Sequence, residues 1–300
     1  MLFILQTALE LGCVYSLVAL ALFLSYRILD IADLTTDGCF ILGMAVSVSS
    51  AAAGHPLFGV IAGILAGGCA GYVTAFLQTR MGVPSILAGI ITNTGLYTVN
   101  LAAMGWSSNV SLLKGDTIFS LFKGLGIGGT WYKVVLAGTI AAVCMLLMKW
   151  FLGTRIGLSI RATGDNRDMV SASSIDPRHT ITLGLVLANS LTGLSGALAG
   201  QMQKSADING GTGIVVIGLA CLIIGETVIH GRKNMTRNIL ACLIGNIIYR
   251  LIYAIILRTS IIPIECLKLV TALIVAIAIA YPTIKANMKY AMKARREGGC

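Results

Sequence analysis

The sequence predicts an all-α protein: a polytopic transmembrane helical bundle of about nine spans, with the N-terminus outside and the C-terminus cytoplasmic. Three observations predict it. Hydrophobic residues fill 56% of the 300 positions and charged residues only 11%, and the mean hydropathy of +0.87 is far above what a soluble core of this size needs. The apolar residues gather into runs near the roughly 17–25 residues that cross a hydrocarbon layer. The basic residues collect between alternate runs, as they do at a cytoplasmic face.

Nine runs qualify: 3–25, 38–53, 57–78, 83–104, 132–152, 180–200, 213–229, 237–257 and 262–283. Together they make the whole chain, 1–300, one membrane domain with a polar loop at 153–179 and a basic tail at 284–300. The first run lacks a basic leader and a small-residue cleavage site, so it reads as a retained span. The second run is short. Ahead of it, segment 26–38 carries Asp30, Asp33 and Asp37 and reads either as a break inside a helix or as an ordinary cytoplasmic turn; the sequence leaves both open. In the third run Gly59, Gly63, Gly67 and Gly71 recur every four residues. That spacing leaves a groove of missing side chains along one helix face, where another backbone can lie.

With the tail inside, alternation places fifteen of the 22 lysines and arginines inside and six outside, with Arg250 within a span. The bias fixes the predicted orientation.

The loop at 153–179 holds Arg155, Arg161, Arg167 and Arg178. It also carries a helix signal: Asp165 as N-cap, Asp168 three residues later, the run 169–175, and a stop at Asp176-Pro177. A short helix held at the membrane surface reads as a docking element; the alternative is a solvated basic connector.

Polar residues inside spans are costly in hydrocarbon unless they face a cavity or a partner. Asn93, Tyr97 and Asn100 share one helix face in the fourth run. Asn189, Thr192 and Gly196 do so in the sixth, and Asn246, Tyr249, Arg250 and Tyr253 in the eighth. Arg250 needs an acid or water, and Glu10, Glu226 and Glu265 are the candidate acids. Each stripe alone is compatible with interhelical hydrogen bonding. Three together favour a polar pathway.

Nothing in the chain suggests covalent chemistry. GLGIGG at 124–129 matches a dinucleotide-binding pattern by letter, yet no strand precedes it. Neither a Walker A sequence nor a zinc-spaced cluster occurs, and His55, His179 and His230 lie in different loops. The eight cysteines lack a paired spacing and mostly sit in apolar runs, so neither disulfides nor metal ligation is expected. Asn109-Val-Ser111 is a formal glycosylation sequon of the kind that arises by chance. The net charge of +10 sits in short loops and the tail, where it meets anionic lipid headgroups rather than nucleic acid.

The progression LGCVYSLVALALFLSYRILDIADLTTDGCFILG, the loop residues Gly157, Arg161, Ala162, Gly164, Asn166, Ala172 and Ile175, and the segment IIGETVIHGRKN resemble the permease subunits of branched-chain amino acid and ribose-type ABC importers. The likeness covers nearly the whole chain. IIYRLIYAI and the IECLKLVTALIVAIAIAYP ending are most similar to permeases of tryptophan/tyrosine-type systems. The resemblance implies a bacterial plasma-membrane subunit that forms a permease dimer, cytoplasmic ABC ATPase subunits that bind the ATP, and an extracytoplasmic binding protein. No cofactor is then expected on this chain. It also implies ATPase coupling through Arg161, Gly164, Asp165, Asn166, Asp168, Ala172 and Ile175. The pathway candidates are Asn93, Tyr97, Asn100, Asn189, Asn246, Arg250, Glu10 and Glu226. Ser174-Ile175 stands where the family usually has Gly-Ile, which leaves the end of that helix open. An amino acid, with an aromatic one in view, is the expected solute, with a sugar or nucleoside as alternatives. An ion-coupled secondary transporter using Glu10 or Glu226 is the alternative mechanism, against which no inverted repeat is visible.

Overall fold

The first apolar run is hydrophobic on every side, and such a helix belongs inside a bundle. It forms α1 (Leu2–Leu22), which continues into a π-helical turn, Phe23–Ile28; Leu17, Val18, Leu20 and Leu24 are fully enclosed. The computed structural model describes residues 2–112, 115–124, 129–229 and 234–259, with Leu269, Ala272, Leu273, Val275, Ala276 and Ala280. Around α1 lie α2 (Thr36–Ala52), α3 (Pro56–Thr79), α4 (Ser85–Ala103), α5 (Ile118–Gly124), α6 (Tyr132–Leu152), α7 (Arg155–Asp165), α8 (Arg167–Ala172), α9 (Pro177–Gln203), α10 (Ile214–Val228) and α11 (Met235–Thr259).

Eight of the nine predicted runs are therefore helices. Among the described residues six are long and apolar enough to cross a membrane, while α2 and α10, with 17 and 15 residues, are shorter apolar helices. Irregular backbone replaces helix ahead of both short elements. Most of the ninth run, the tail 284–300, Glu265 and loop residues 125–128 lie outside the described residues.

Segment 26–38 holds a break at 29–35: Tyr26, Arg27 and Asp30 are exposed, and the backbone beyond Asp30 packs inside the protein. Asp30 adopts a left-handed φ of 54°, and Ile31, Asp33 and Thr35 beyond it are buried. Buried irregular backbone needs polar partners. Asp33 Oδ1 accepts from the Thr35 amide, and the Thr35 hydroxyl meets that of Thr74 on α3 at 2.8 Å.

The glycine groove of α3 receives two backbones. A β-carbon at Gly67 would strike the Asn189 carbonyl of α9, and one at Gly59 would come within 2.8 Å of the Ser47 carbonyl of α2. The seam continues where Gly43 of α2 meets Gly193 of α9. Close backbone approach maximises dispersion where lipid tails already satisfy apolar side chains, so small residues rather than hydrophobic burial hold α2, α3 and α9 together.

Two strands, β1 (Asn109–Ser111) and β2 (Ser205–Asp207), pair antiparallel with Val110 opposite Ala206. The sequon thus lies in a paired strand. Both strands come from segments that alternation places on one side. Elsewhere, Gly164 of α7 packs against the Ile28 carbonyl.

The arginine-rich loop holds two helices where one was expected. Thr154 Oγ1 accepts from the Gly157 amide and caps α7, a signal present in the sequence. Asp165 is the last residue of α7 and not the cap of the next helix. Asn166 takes that role: its backbone is extended, with φ −160° and ψ 109°, and Oδ1 accepts from the amides of Asp168 and Met169, each at 3.0 Å. A residue still in helical conformation cannot fold its side chain back over the first amides; an extended one can. The second helix stops at Ala172, earlier than expected. Ser174 takes a φ of 61°, and the amides of Ser174 and Ile175 donate to the carbonyls of Ser171 and Val170, a Schellman closure. Asp176-Pro177, read as a stop, instead opens α9, with Asp176 accepting from the Arg178 amide and Pro177 at the first position.

Candidate functional site

Asp37 sits in the first turn of α2, and its carboxylate reaches the start of α10, 176 residues away: Gly213 N–H donates to Oδ2 and Val215 N–H to Oδ1, both at 2.9 Å. These amides have no helical partner of their own, and the helix dipole adds positive potential there. Gly213 has a φ of 83°, a conformation glycine reaches without strain. Gly211 carries no side chain where a β-carbon would lie 2.7 Å from the Asp37 carbonyl. The N-termini of the two short helices are thereby locked together inside the bundle.

Beside this lock is a pocket of about 300 Å³ lined by Asp37, Asn93, Tyr97, Asn100, Asn209 and Thr212, among others. The whole polar stripe of α4 therefore faces one space. Asn100 is fully buried; its Nδ2 donates to the Gly38 carbonyl at 3.2 Å, while its Oδ1 has no partner. Gly38 lets α4 come close, since a β-carbon there would lie 2.5 Å from Asn93 Oδ1. Tyr97 is half exposed at the rim. Carboxamides, hydroxyls, a carboxylate and a ring can exchange hydrogen bonds with a small polar molecule. Asp37, Asn209 and Thr212 were not anticipated as lining residues: they join the stripe only through tertiary contact between two chain breaks.

The other predicted pathway residues lie elsewhere. Asn189 Nδ2 donates to Asp33 Oδ2 at 2.6 Å and to the Leu185 carbonyl, tying α9 to the break after α1. Asn246 donates to the Cys242 carbonyl one turn back. Glu10 accepts from Gln6 and lines a separate pocket with Tyr132 and Lys133. Glu226 pairs with Arg27 at 3.1 Å. The expectation that Glu10 or Glu226 neutralises Arg250 is thus overturned; the Arg250 guanidinium lies 3.8 Å from the centroid of the Tyr15 ring. Arg27, on the turn that ends α1, is the cation that Glu226 meets.

In the loop, Arg161, Asp165, Asn166, Asp168 and Ala172 are exposed, beside exposed apolar Ile156, Leu158 and Met169. Gly164 and Ile175 are partly covered. Thr163 and Thr180 share a 2.8 Å hydroxyl contact that fixes α7 to α9.

Comparison with known proteins gives a consistent result. The family model for the branched-chain amino acid transport system / permease component matches residues 4–280. A tyrosine transport system permease protein of Clostridioides difficile (strain R20291) is 30% identical over 277 residues, which is 92% of this chain and 90% of that protein. An uncharacterized protein of Rickettsia prowazekii (strain Madrid E) is 34% identical over 282 residues, 92% of this chain and 97% of its own. A D-allose transport system permease protein of Escherichia coli (strain K12) is 26% identical over 221 residues, 72% of this chain and 64% of its own. No solved structure matches significantly.

Proposed function

The chain belongs to the branched-chain amino acid transport system permease family, and from that premise we propose that it carries a small polar solute, an amino acid in the first place, through the pocket beside Asp37. It is a multi-pass membrane protein and the non-enzymatic permease subunit of an ABC-type transport system, whose family implies ATPase and substrate-binding partners. The observation that carries the pathway reading is the convergence of Asn93, Tyr97 and Asn100 on one pocket where two helices break. Broken helices offer backbone and side-chain polar groups at membrane depth, which unbroken spans cannot. The tyrosine relative, which matches 92% of this chain against 72% for the allose relative, favours an amino acid over a sugar.

The proposal includes orientation and assembly. The N-terminus lies outside, 153–179 and the basic tail lie inside, and ATP binds the partner ATPase. A second permease copy and lipid cover the apolar faces exposing Leu57, Phe58 and Leu65 of α3 and Leu146 and Trp150 of α6. The exposed surface of α7 and α8 docks on the ATPase. Its motion then reaches the pocket through Gly164 against Ile28, the buried break and α2, with packed elements transmitting displacement.

Weak binding suits a passage that must release its cargo. In a reconstituted complex with its ATPase and binding protein, Asn93→Ala and Tyr97→Ala are expected to cut amino acid uptake several-fold while thermal stability stays near the parent. Normal uptake per folded complex together with lost stability would show that the stripe only ties helices together.

A further inference from the structure

A second pocket, of about 450 Å³, adjoins the first; Thr212 lines both. Its walls include Tyr15, Tyr249, Arg250 and Tyr253, with Gly213 and Ile214 from the start of α10. Arg250 lies within α11, a helix of spanning length, yet forms no ion pair with any described residue. Its Nε is buried without a hydrogen-bond partner, and so is the hydroxyl of Tyr249, a residue only 1% exposed. The Tyr15 ring under the guanidinium is itself backed by Phe40, with ring centroids 5.5 Å apart, so the cation is held in place.

A charge at this depth is expensive when unpaired, and a ring offers weaker compensation than a carboxylate that accepts two parallel N–H bonds. The start of α10 adds positive potential rather than relief. Asp37, beyond Thr212, turns both its oxygens to the amides of Gly213 and Val215. A cation held over a ring and aromatic walls around one space, with two unpartnered polar atoms buried in those walls, call for an anionic group on a molecule with an apolar body.

We infer that this pocket is a carboxylate subsite, in which Arg250 and the Tyr249 hydroxyl donate to the carboxylate of the solute while Tyr15 and Tyr253 flank its side chain. This deepens the pathway reading and rests on it only for the claim that the carboxylate belongs to the cargo. It narrows the substrate class: an amino acid has the required anion, and a neutral sugar or nucleoside has none.

The test uses the full-length permease purified with its ATPase partner, with thermal unfolding followed in the presence of 3-phenylpropionate, L-phenylalanine, L-phenylalaninamide or D-ribose. The two carboxylates are expected to protect the parent, and the amide and ribose not. Arg250→Gln should raise the half-protecting concentration of the carboxylates by about tenfold, the effect of losing one charge-assisted hydrogen bond. Arg250→Lys should keep the preference for acid over amide, and the parent's own acid-to-amide discrimination decides the matter should Arg250→Gln fail to fold. The inference is overturned by equal protection from acid and amide, by protection unchanged in a folded Arg250→Gln, or by no protection from any probe. It is also overturned if Arg250→Gln/Glu265→Gln proves more stable than either single variant, since the partner is then internal. Carboxylate binding at Arg250 without ATP-driven uptake of any amino acid would refute the pathway reading and leave the subsite standing.

Discussion

The seam of α2, α3 and α9 and the junction where α2 meets α10 are built on opposite principles. Along the seam backbone touches backbone: a β-carbon at Gly193 would strike the Gly63 carbonyl, and one at Gly196 the Phe40 carbonyl. Most polar groups there are paired, with Gln201 donating to both Ser47 Oγ and the Pro56 carbonyl. At the junction side chains and helix ends meet, and polar capacity is left over. Six buried side-chain atoms lack a partner among the described residues; three of them, Asn100 Oδ1, Tyr249 Oη and Arg250 Nε, belong to residues lining the two pockets at the junction, and two, Gln78 Nε2 and Asn189 Oδ1, lie on α3 and α9. In a membrane, small residues make the rigid part and unsatisfied polar groups mark where something passes or binds. The short helix α2 belongs to both regions, with Gly43 in the seam and Asp37 at the junction.

The harshest way to break this contrast is to place a branched side chain in the seam. Gly196→Val drives two methyl groups toward the Phe40 backbone, which as part of α2 cannot swing aside like a flexible side chain. Overpacking of a fixed backbone contact costs about 3 kcal/mol. Yield of folded permease and its thermal midpoint should both fall sharply. A midpoint unchanged from the parent would mean that the seam is loosely packed.

Removing the junction's lock should cost less and act differently. Asp37→Ala leaves the amides of Gly213 and Val215 without their acceptor, and loss of an N-terminal cap typically costs about 1–2 kcal/mol. Hydrogen exchange at the first turn of α10 should accelerate while the α3 and α9 amides stay protected. Faster exchange in all three helices would mean that seam and junction unfold as one unit, and the contrast would lose its dynamic meaning.

How far the sequence could be read follows the same division. The glycine spacing of α3 and the stripe Asn93, Tyr97 and Asn100 are local periodicities, so both were legible. The Asp37 lock was not, because it joins residues 176 apart and neither partner is unusual in its own neighbourhood. Arg250 was expected to find an acid, since charge pairing is the simplest rule for a buried cation; among the described residues the fold supplies an aromatic ring from α1. The cap of the loop's second helix was misjudged by a single residue, Asp165 for Asn166. Both are good capping residues by type, and only the backbone conformation chooses between them. The loop's first helix, α7, was missed although Thr154 was there to announce it.

The smallest expected effect runs in the opposite direction and lies in that loop. Ser174 holds a left-handed φ of 61° at the closure of α8, where an L-residue carries about 1–2 kcal/mol of steric cost that glycine avoids. Glycine also loses more freedom on folding, roughly 0.4–1 kcal/mol, so Ser174→Gly should stabilise the closure by no more than about 1 kcal/mol. The amides of Ser174 and Ile175, which donate to Ser171 and Val170, should exchange several-fold more slowly in the variant. Faster exchange would show that serine is not strained there. Substrate-stimulated ATP hydrolysis by the assembled complex gives the sharper reading. If relaxing this one residue leaves hydrolysis coupled to transport, the strained turn is tolerated without a role in coupling. If coupling falls while the turn becomes more stable, α8 has to yield at its C-terminal end, and the serine keeps it able to do so.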